Sequence, residues 1–278
     1  MKVLFLTNVP APYRVDFFHE LGKLCDLTVI FERLQASDRD KLWRNDNVQP
    51  SYKQVVLKGV DIKNEGALSL EILKYLSRDR FDIIIVGGYS TPSAMLAIVA
   101  MKLKRVKYIL NADGGVIKND KATVKRLKRF FISSAAAWLG TGGMTDKYFE
   151  YYGAAPKRIY TYPFTSLLQQ DVLGETVAPR EKEKLKKELD LKGEKIVITV
   201  GQFIHRKGFD LLLKSWPELD KMASLYLIGG TPTEEYLDIV EKEKLHNVYF
   251  IPFMGKEALK KHLEAKNIKV IDVGPSEK

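Results

Sequence analysis

Short apolar runs rich in β-branched residues alternate along this 278-residue chain with longer stretches whose apolar residues recur every three or four positions. Runs at Lys2–Leu6, Leu27–Phe31, Gln54–Leu57, Asp82–Val86, Lys107–Leu110 and Ala136–Leu139 predict strands. Helical periodicity at Tyr13–Leu24, Leu68–Leu76, Pro92–Leu103, Thr123–Ile132 and Thr145–Tyr152 predicts the helices that join them. One more strand is expected at Arg158–Tyr162, and the polar stretch Gln169–Arg180 reads as a linker. A second cycle follows: helix Arg180–Leu189, strand Lys195–Val200, helix Gly208–Ser215, strand Ser224–Ile228, helix Thr233–Leu245, strand Val248–Ile251, helix Lys256–Ala265 and strand Lys269–Val273. Such alternation specifies α/β architecture, here two doubly wound Rossmann-like domains in tandem.

Composition agrees with this picture: 45% hydrophobic and 29% charged residues are ordinary for a chain with two packed cores. Cys25 stands alone, so no internal disulfide can form and a reducing, cytoplasmic setting is expected. No Cys/His cluster has zinc spacing, and no metal is expected. The apolar part of MKVLFLTNVP is too short for a signal segment or a bilayer span. The net charge of +10 is concentrated in Lys102–Lys107, Lys118–Arg129 and Arg180–Lys187, each spaced like a helix face. Solvated surface is one reading of these stretches; attraction to anionic headgroups, nucleic acid or a nucleotide sugar is the other. Nucleic acid is set aside because no reader motif accompanies the charge. The alternation of basic and apolar residues over Val124–Ile132 suits an interfacial helix and keeps peripheral contact with an anionic membrane in view.

In open α/β sheets ligands gather at the carboxyl ends of the strands, so those loops carry the functional signal. After the first strand come Asn8 and Arg14 around two prolines; Pro12 in a first helical turn with a surface Arg14 is the plainer alternative. After the fourth, Gly87-Gly88-Tyr89-Ser90-Thr91-Pro92 permits close backbone approach, although helix capping alone accounts for Thr-Pro. Asn111-Ala112-Asp113-Gly114-Gly115 follows the fifth strand, where Asp-Gly-Gly is equally a turn. The strongest signal is VGQFIHRKGFDLLL, residues 200–213. Gly201 lets the chain turn after a strand, Arg206 and Lys207 bring positive charge, and Gly208 opens a helix, a combination suited to a diphosphate. Neither a Walker loop nor a G-x-G-x-x-G fingerprint is present.

Residues 200–213 resemble the donor-diphosphate motif, roughly G-R-x-x-x-x-K-G, of GT-B fold glycosyltransferases of family 4. TNVPAPYRVDFFHELGK, VGGYSTPSAMLA, YILNADGG, GGMTDKYFEYYGAAPKRIYTYPFTS and LYLIGGTPTEEYL resemble, in order, further segments of members that build capsular and cell-surface polysaccharides. The resemblance implies an acceptor-side domain over residues 1–168, a linker over 169–180 and a partial nucleotide-sugar domain over 181–278. It implies transfer from a nucleotide-diphosphate sugar to a glycan or lipid-linked acceptor, with retention of configuration and without a cofactor. On it, Lys207 neutralises the donor diphosphate, with Gly201, Gln202, Arg206, Gly229 and Gly230 completing the donor set. Gln202 stands where the family has arginine, so Arg206 is the candidate second cation. Asp113 stands in the segment where many members carry histidine, and becomes the candidate catalytic group beside Lys207. Asn8, Arg14, Gly88 and Tyr89 form the acceptor-side set, with PAPYR in place of a glycine pair. The family's E-x7-E acids have no counterpart at the matching place. Glu175/Glu183 and Glu235/Glu243 have the spacing in the wrong positions, and a truncated, weakly active or inactive product is therefore expected. A nucleotide-binding remnant and a nucleotide-sugar epimerase on the same fold are the alternatives.

Overall fold

The structure is a computed structural model and describes residues 1–34, 50–62, 66–77, 79–162 and 177–266. The chain divides into two compact units, Met1–Val172 and Leu173–Val273.

The first unit runs β1 (Lys2–Thr7), α1 (Pro12–Gly22), β2 (Asp26–Phe31), β3 (Lys53–Val56), β4 (Val60–Ile62), β5 (Gly66–Leu68), a 3-10 segment (Leu70–Lys74), β6 (Ile83–Gly87) and α2 (Pro92–Leu103). It continues through β7 (Ile109–Ala112), α3 (Ala122–Ile132), β8 (Ala137–Gly140), α4 (Gly143–Tyr151) and β9 (Ile159–Thr161). Seven strands form one parallel sheet in the order β3-β2-β1-β6-β7-β8-β9. The order reverses at β1, so the loops after β1 and β6 flank the switch point where such sheets take ligands. Alternation along β1 divides the core between the two sheet faces. Val3 and Phe5 join Phe18 of α1, while Leu4 and Leu6 join Ala97, Ile98 and Met101 of α2.

In the second unit, α5 (Pro179–Glu188), β10 (Ile196–Val200), a 3-10 turn (His205–Lys207), α6 (Phe209–Lys214), β11 (Ser224–Ile228), α7 (Glu234–Lys242), β12 (Val248–Ile251) and α8 (Lys256–Lys266) follow in turn. β10, β11 and β12 form a parallel sheet in that order. Phe209, Leu213, Leu225, Leu227 and Tyr236 pack one face, and Leu185, Ile196, Tyr226 and Ala265 the other. Asp220 is a staple here: its carboxylate accepts from the backbone N–H groups of His246 and Asn247, each at 2.9 Å, and fixes the entry to β12.

Most expected elements appear within one or two residues of their expected ends, with one departure of type. The helix expected over Leu68–Leu76 is instead the end of β5 followed by a 3-10 segment. Ser69 is extended at φ −131°, and its hydroxyl accepts from Glu71 N–H and donates to the Lys58 carbonyl, which starts the turn one residue after Leu68 has paired with Val60. The antiparallel pair β4–β5 was not expected at all. The expected strand Lys269–Val273 and residues 169–176 of the expected linker lie outside the described residues.

Candidate functional site

In the first unit, α1 begins at Pro12, which occupies the first turn, and two residues later Arg14 turns inward and is only 5% exposed. Its guanidinium sits about equally far from the Phe5 and Phe17 rings, 5.7 and 5.6 Å from their centroids. One terminal nitrogen donates to Asn111 Oδ1 at 2.7 Å and to the Asp113 carboxylate; the other donates to the Tyr162 hydroxyl at 3.1 Å. Buried Asn111 completes the network by donating to Leu139 O at 3.0 Å and to Tyr162 at 2.9 Å. Two residues that were expected separately, an acceptor-side Arg14 and a sugar-facing Asp113, are thus one ion pair. Asp113 keeps its other side to solvent, with 43% of the side chain exposed. Burial raises its carboxyl above the ordinary range against the opposing pull of Arg14.

Asn8, at the end of β1, buries Oδ1 without a partner. Close to the same strand ends, Glu32 was missed in the sequence; the signal available was an acid directly after the apolar run of β2. It is 2% exposed, accepts from the hydroxyl of Thr91, the α2 cap, and leaves Oε2 unpartnered. Burial pushes its carboxyl up to about 7 despite the Thr91 bond and the charge of Arg33. Gly88 has φ +110° with open space where a Cβ would stand, so its backbone can be approached. Tyr89 is half-buried: its ring stacks at 17° on Phe131 and its hydroxyl bonds to that of Tyr148.

The residues expected on the donor side lie in the second unit, and the structure brings Gly201, Lys207 and Gly229 together. Gly201 continues β10 by donating to Ile228 O at 2.9 Å, and the 3-10 turn that follows closes with Gly208 in the left-handed region, φ +67°. This turn folds Lys207 back over Gly201: a Cβ on Gly201 would stand 3.5 Å from both Cδ and Cε of Lys207. The lysine is exposed, its stem resting on glycine. On the neighbouring strand end Gly229, at φ +149°, lies so close to the Gly201 carbonyl that a side chain there would overlap it, and Gly230 follows at φ +157°. Phe203 anchors the loop by meeting Phe209, Tyr236 and Phe250 edge-on at 5.5, 6.0 and 5.7 Å. Gln202 accepts the Ile204 N–H through its carbonyl. The Arg206 side chain lies outside the described structure. Asp210, in the first turn of α6, was not singled out in the sequence; it is buried and its Oδ1 has no partner. A lysine over paired glycine backbones at adjacent parallel strand ends suits an anion that needs both charge and close main-chain approach. Among the described residues no group of His, Cys, Asp and Glu could hold a metal ion.

Residues 181–273 match the family model for glycosyl transferases group 1, a third of the chain that contains the whole Lys207 loop. No curated protein matches the sequence. Among solved structures, Anabaena HepE in complex with UDP and glucose is similar with a TM-score of 0.71 at 14% identity, over 95% of this chain and 72% of that one. WaaG, a glycosyltransferase involved in lipopolysaccharide biosynthesis, gives 0.61 at 13% over 94% and 72%. UDP-GlcNAc 2-epimerase from Neisseria meningitidis bound to UDP-GlcNAc gives 0.56 at 13% over 94% and 74%. The fold is therefore GT-B, two Rossmann-like α/β units, and the segment that matches the group 1 family model lies in the second.

Proposed function

We propose that this chain is a GT-B glycosyltransferase of family 4, taking a sugar from a nucleotide-diphosphate donor and passing it to a glycan or lipid-linked acceptor in polysaccharide assembly. The observation that carries this reading is Lys207 laid over Gly201 beside Gly229, inside the segment that matches the group 1 family. In the reaction the bond from the anomeric carbon to the diphosphate oxygen breaks, and its electron pair leaves with the diphosphate. The acceptor oxygen bonds to the same face of the sugar, and the acceptor proton passes to the departing phosphate oxygen. Lys207 faces the charge that grows on the leaving group, and a preorganised cation there lowers the barrier. Asp113, held by Arg14, is the candidate polar group for the reacting sugar, and Asn8 and Gly88 offer acceptor-side contacts. The chain works in the cytoplasm, in peripheral contact with an anionic membrane surface. Calorimetry with UDP and GDP on the parent and Lys207→Ala tests the donor half of this reading; unchanged affinity in the variant would remove Lys207 from it.

The likeness to UDP-GlcNAc 2-epimerases supports a second reading, interconversion of a nucleotide sugar without an acceptor. Incubation with a nucleotide sugar alone separates the two, since only an epimerase changes it.

A further inference from the structure

On α3 only Phe131 and Ile132 are fully buried, while Lys125 and Lys128 lie half-buried over the Tyr151 and Tyr152 rings, their nitrogens 4.2 and 5.2 Å from the centroids. This arrangement leaves the rest of the helix's apolar stripe facing out: Val124 is 40% exposed, Leu127 53% and Phe130 40%. The end of α2 joins that face. Lys102 Nζ sits 3.8 Å over the Phe130 ring, and Leu103 is 80% exposed between Lys102 and Lys104. From Lys102 to Phe130 the sequence holds ten lysines and arginines and two acids. Both acids are committed, Asp113 to Arg14 and Asp120 to Lys128. The sequence from Lys102 to Phe130 thus carries a net charge of +8, and Lys102, Lys125, Arg126, Lys128 and Arg129 lie on the same two helices as the outward apolar stripe, with Lys104 at the end of α2.

We propose that the face formed by α3 and the end of α2 docks on a bilayer of anionic lipid, with Leu103, Leu127 and Phe130 entering the headgroup boundary and Lys104 and Arg126 meeting the lipid charge. This deepens the membrane contact in the functional reading above and rests on it only for its place in the cell. Exposed apolar residues beside an excess of cations fit a surface that is anionic outside and apolar beneath, and a polyanion alone gives the apolar residues nothing to enter. Among the described residues no helix is long and apolar enough to cross a membrane.

Flotation of the full chain with phosphatidylcholine vesicles, with and without phosphatidylglycerol, tests the proposal. Binding is expected only with phosphatidylglycerol and is expected to weaken as salt rises. Leu103→Ser/Leu127→Ser changes two side chains already more than half exposed and is expected to abolish flotation with the circular dichroism unchanged. Lys104→Gln/Arg126→Gln is expected to weaken binding about 25-fold, at about fivefold for each basic residue. The proposal is overturned by absence of flotation, by equal binding to neutral vesicles, or by parental binding in either variant. Tight binding of a short RNA that the serine pair leaves intact would also overturn it, reassigning the face to a polyanion. UDP affinity measured on the same samples is independent of the lipid, so failure here and failure of the transferase reading are separable.

Discussion

Arg14 spends its guanidinium on Asp113 and Asn111 together, so the loop after β7 is held by a side chain from the helix after β1. That cross-tie spans the switch point of the sheet. Arg14→Ala leaves the buried Asn111 Oδ1 without its donor while the half-exposed Asp113 carboxylate opens to water, and an unsatisfied buried polar group costs about 1–3 kcal/mol. Urea denaturation should show a drop of that order. A loss below about 1 kcal/mol, the range of exposed pairs, would show that the pair behaves as surface.

Asp113→Asn keeps the volume and an acceptor for Arg14 while removing the charge. The fold and the UDP affinity should be retained, and sugar transfer should fall about 10- to 150-fold, as expected for loss of one charged hydrogen bond of about 1.5–3 kcal/mol to the reacting sugar. Transfer at the parent rate would leave Asp113 as a turn residue anchored by Arg14.

Lys207→Ala should weaken UDP binding about 10- to 150-fold, the range for one charged hydrogen bond of about 1.5–3 kcal/mol. The side chain is exposed, so the melting temperature without nucleotide should stay at the parent value. A variant that loses stability and affinity together would mean that the lysine stem holds the loop and its charge is secondary.

Gly229→Ala tests the close approach beneath that lysine. The backbone sits at φ +149°, and a methyl group would overlap the Gly201 carbonyl, so a cost of about 2 kcal/mol or more in stability is expected, with loss of UDP binding as the two strand ends separate. A folded, UDP-binding variant would show that the strand ends move apart freely.

The sequence was most legible where local signals agree. Ser224–Ile228 and Val248–Ile251 occur as expected because each is a continuous apolar run inside a covered parallel sheet. Pro92–Leu103 was also recovered, since Thr91 caps it and Pro92 fits its first turn. The pair β4–β5 escaped because three-residue strands are too short for any periodicity, and their pairing is set by Ser69 reaching Lys58 and Ser93. At the site, the Lys207 loop was legible as a local string of glycine and charge. The partnership of Arg14 with Asp113, 99 positions apart, and the burial of Glu32 and Asp210 were not, because they are products of the sheet order.

Glu32 gives the fold a pH dependence with a definite sign. Its carboxyl is buried between the end of β2 and the cap of α2, bonded to Thr91 and near Arg33, and it holds its proton up to about 7, against an ordinary value of 4.5. Between these values the folded chain binds more protons at Glu32 than the unfolded chain, so stability falls as pH rises through that window. The stabilisation is complete below about 4.5 and lost above about 7, with a size on the order of 3 kcal/mol. Glu32→Gln keeps a neutral group of the same shape that still accepts from Thr91, so the variant should be more stable than the parent at pH 8 and close to it at pH 4.5. Asp113 is raised as well and contributes with the same sign, which the comparison with Glu32→Gln cancels. Urea denaturation of both proteins across the window decides it. Parallel pH profiles, with no gain for the variant at pH 8, would show that Glu32 ionises freely and that its burial is relieved in solution.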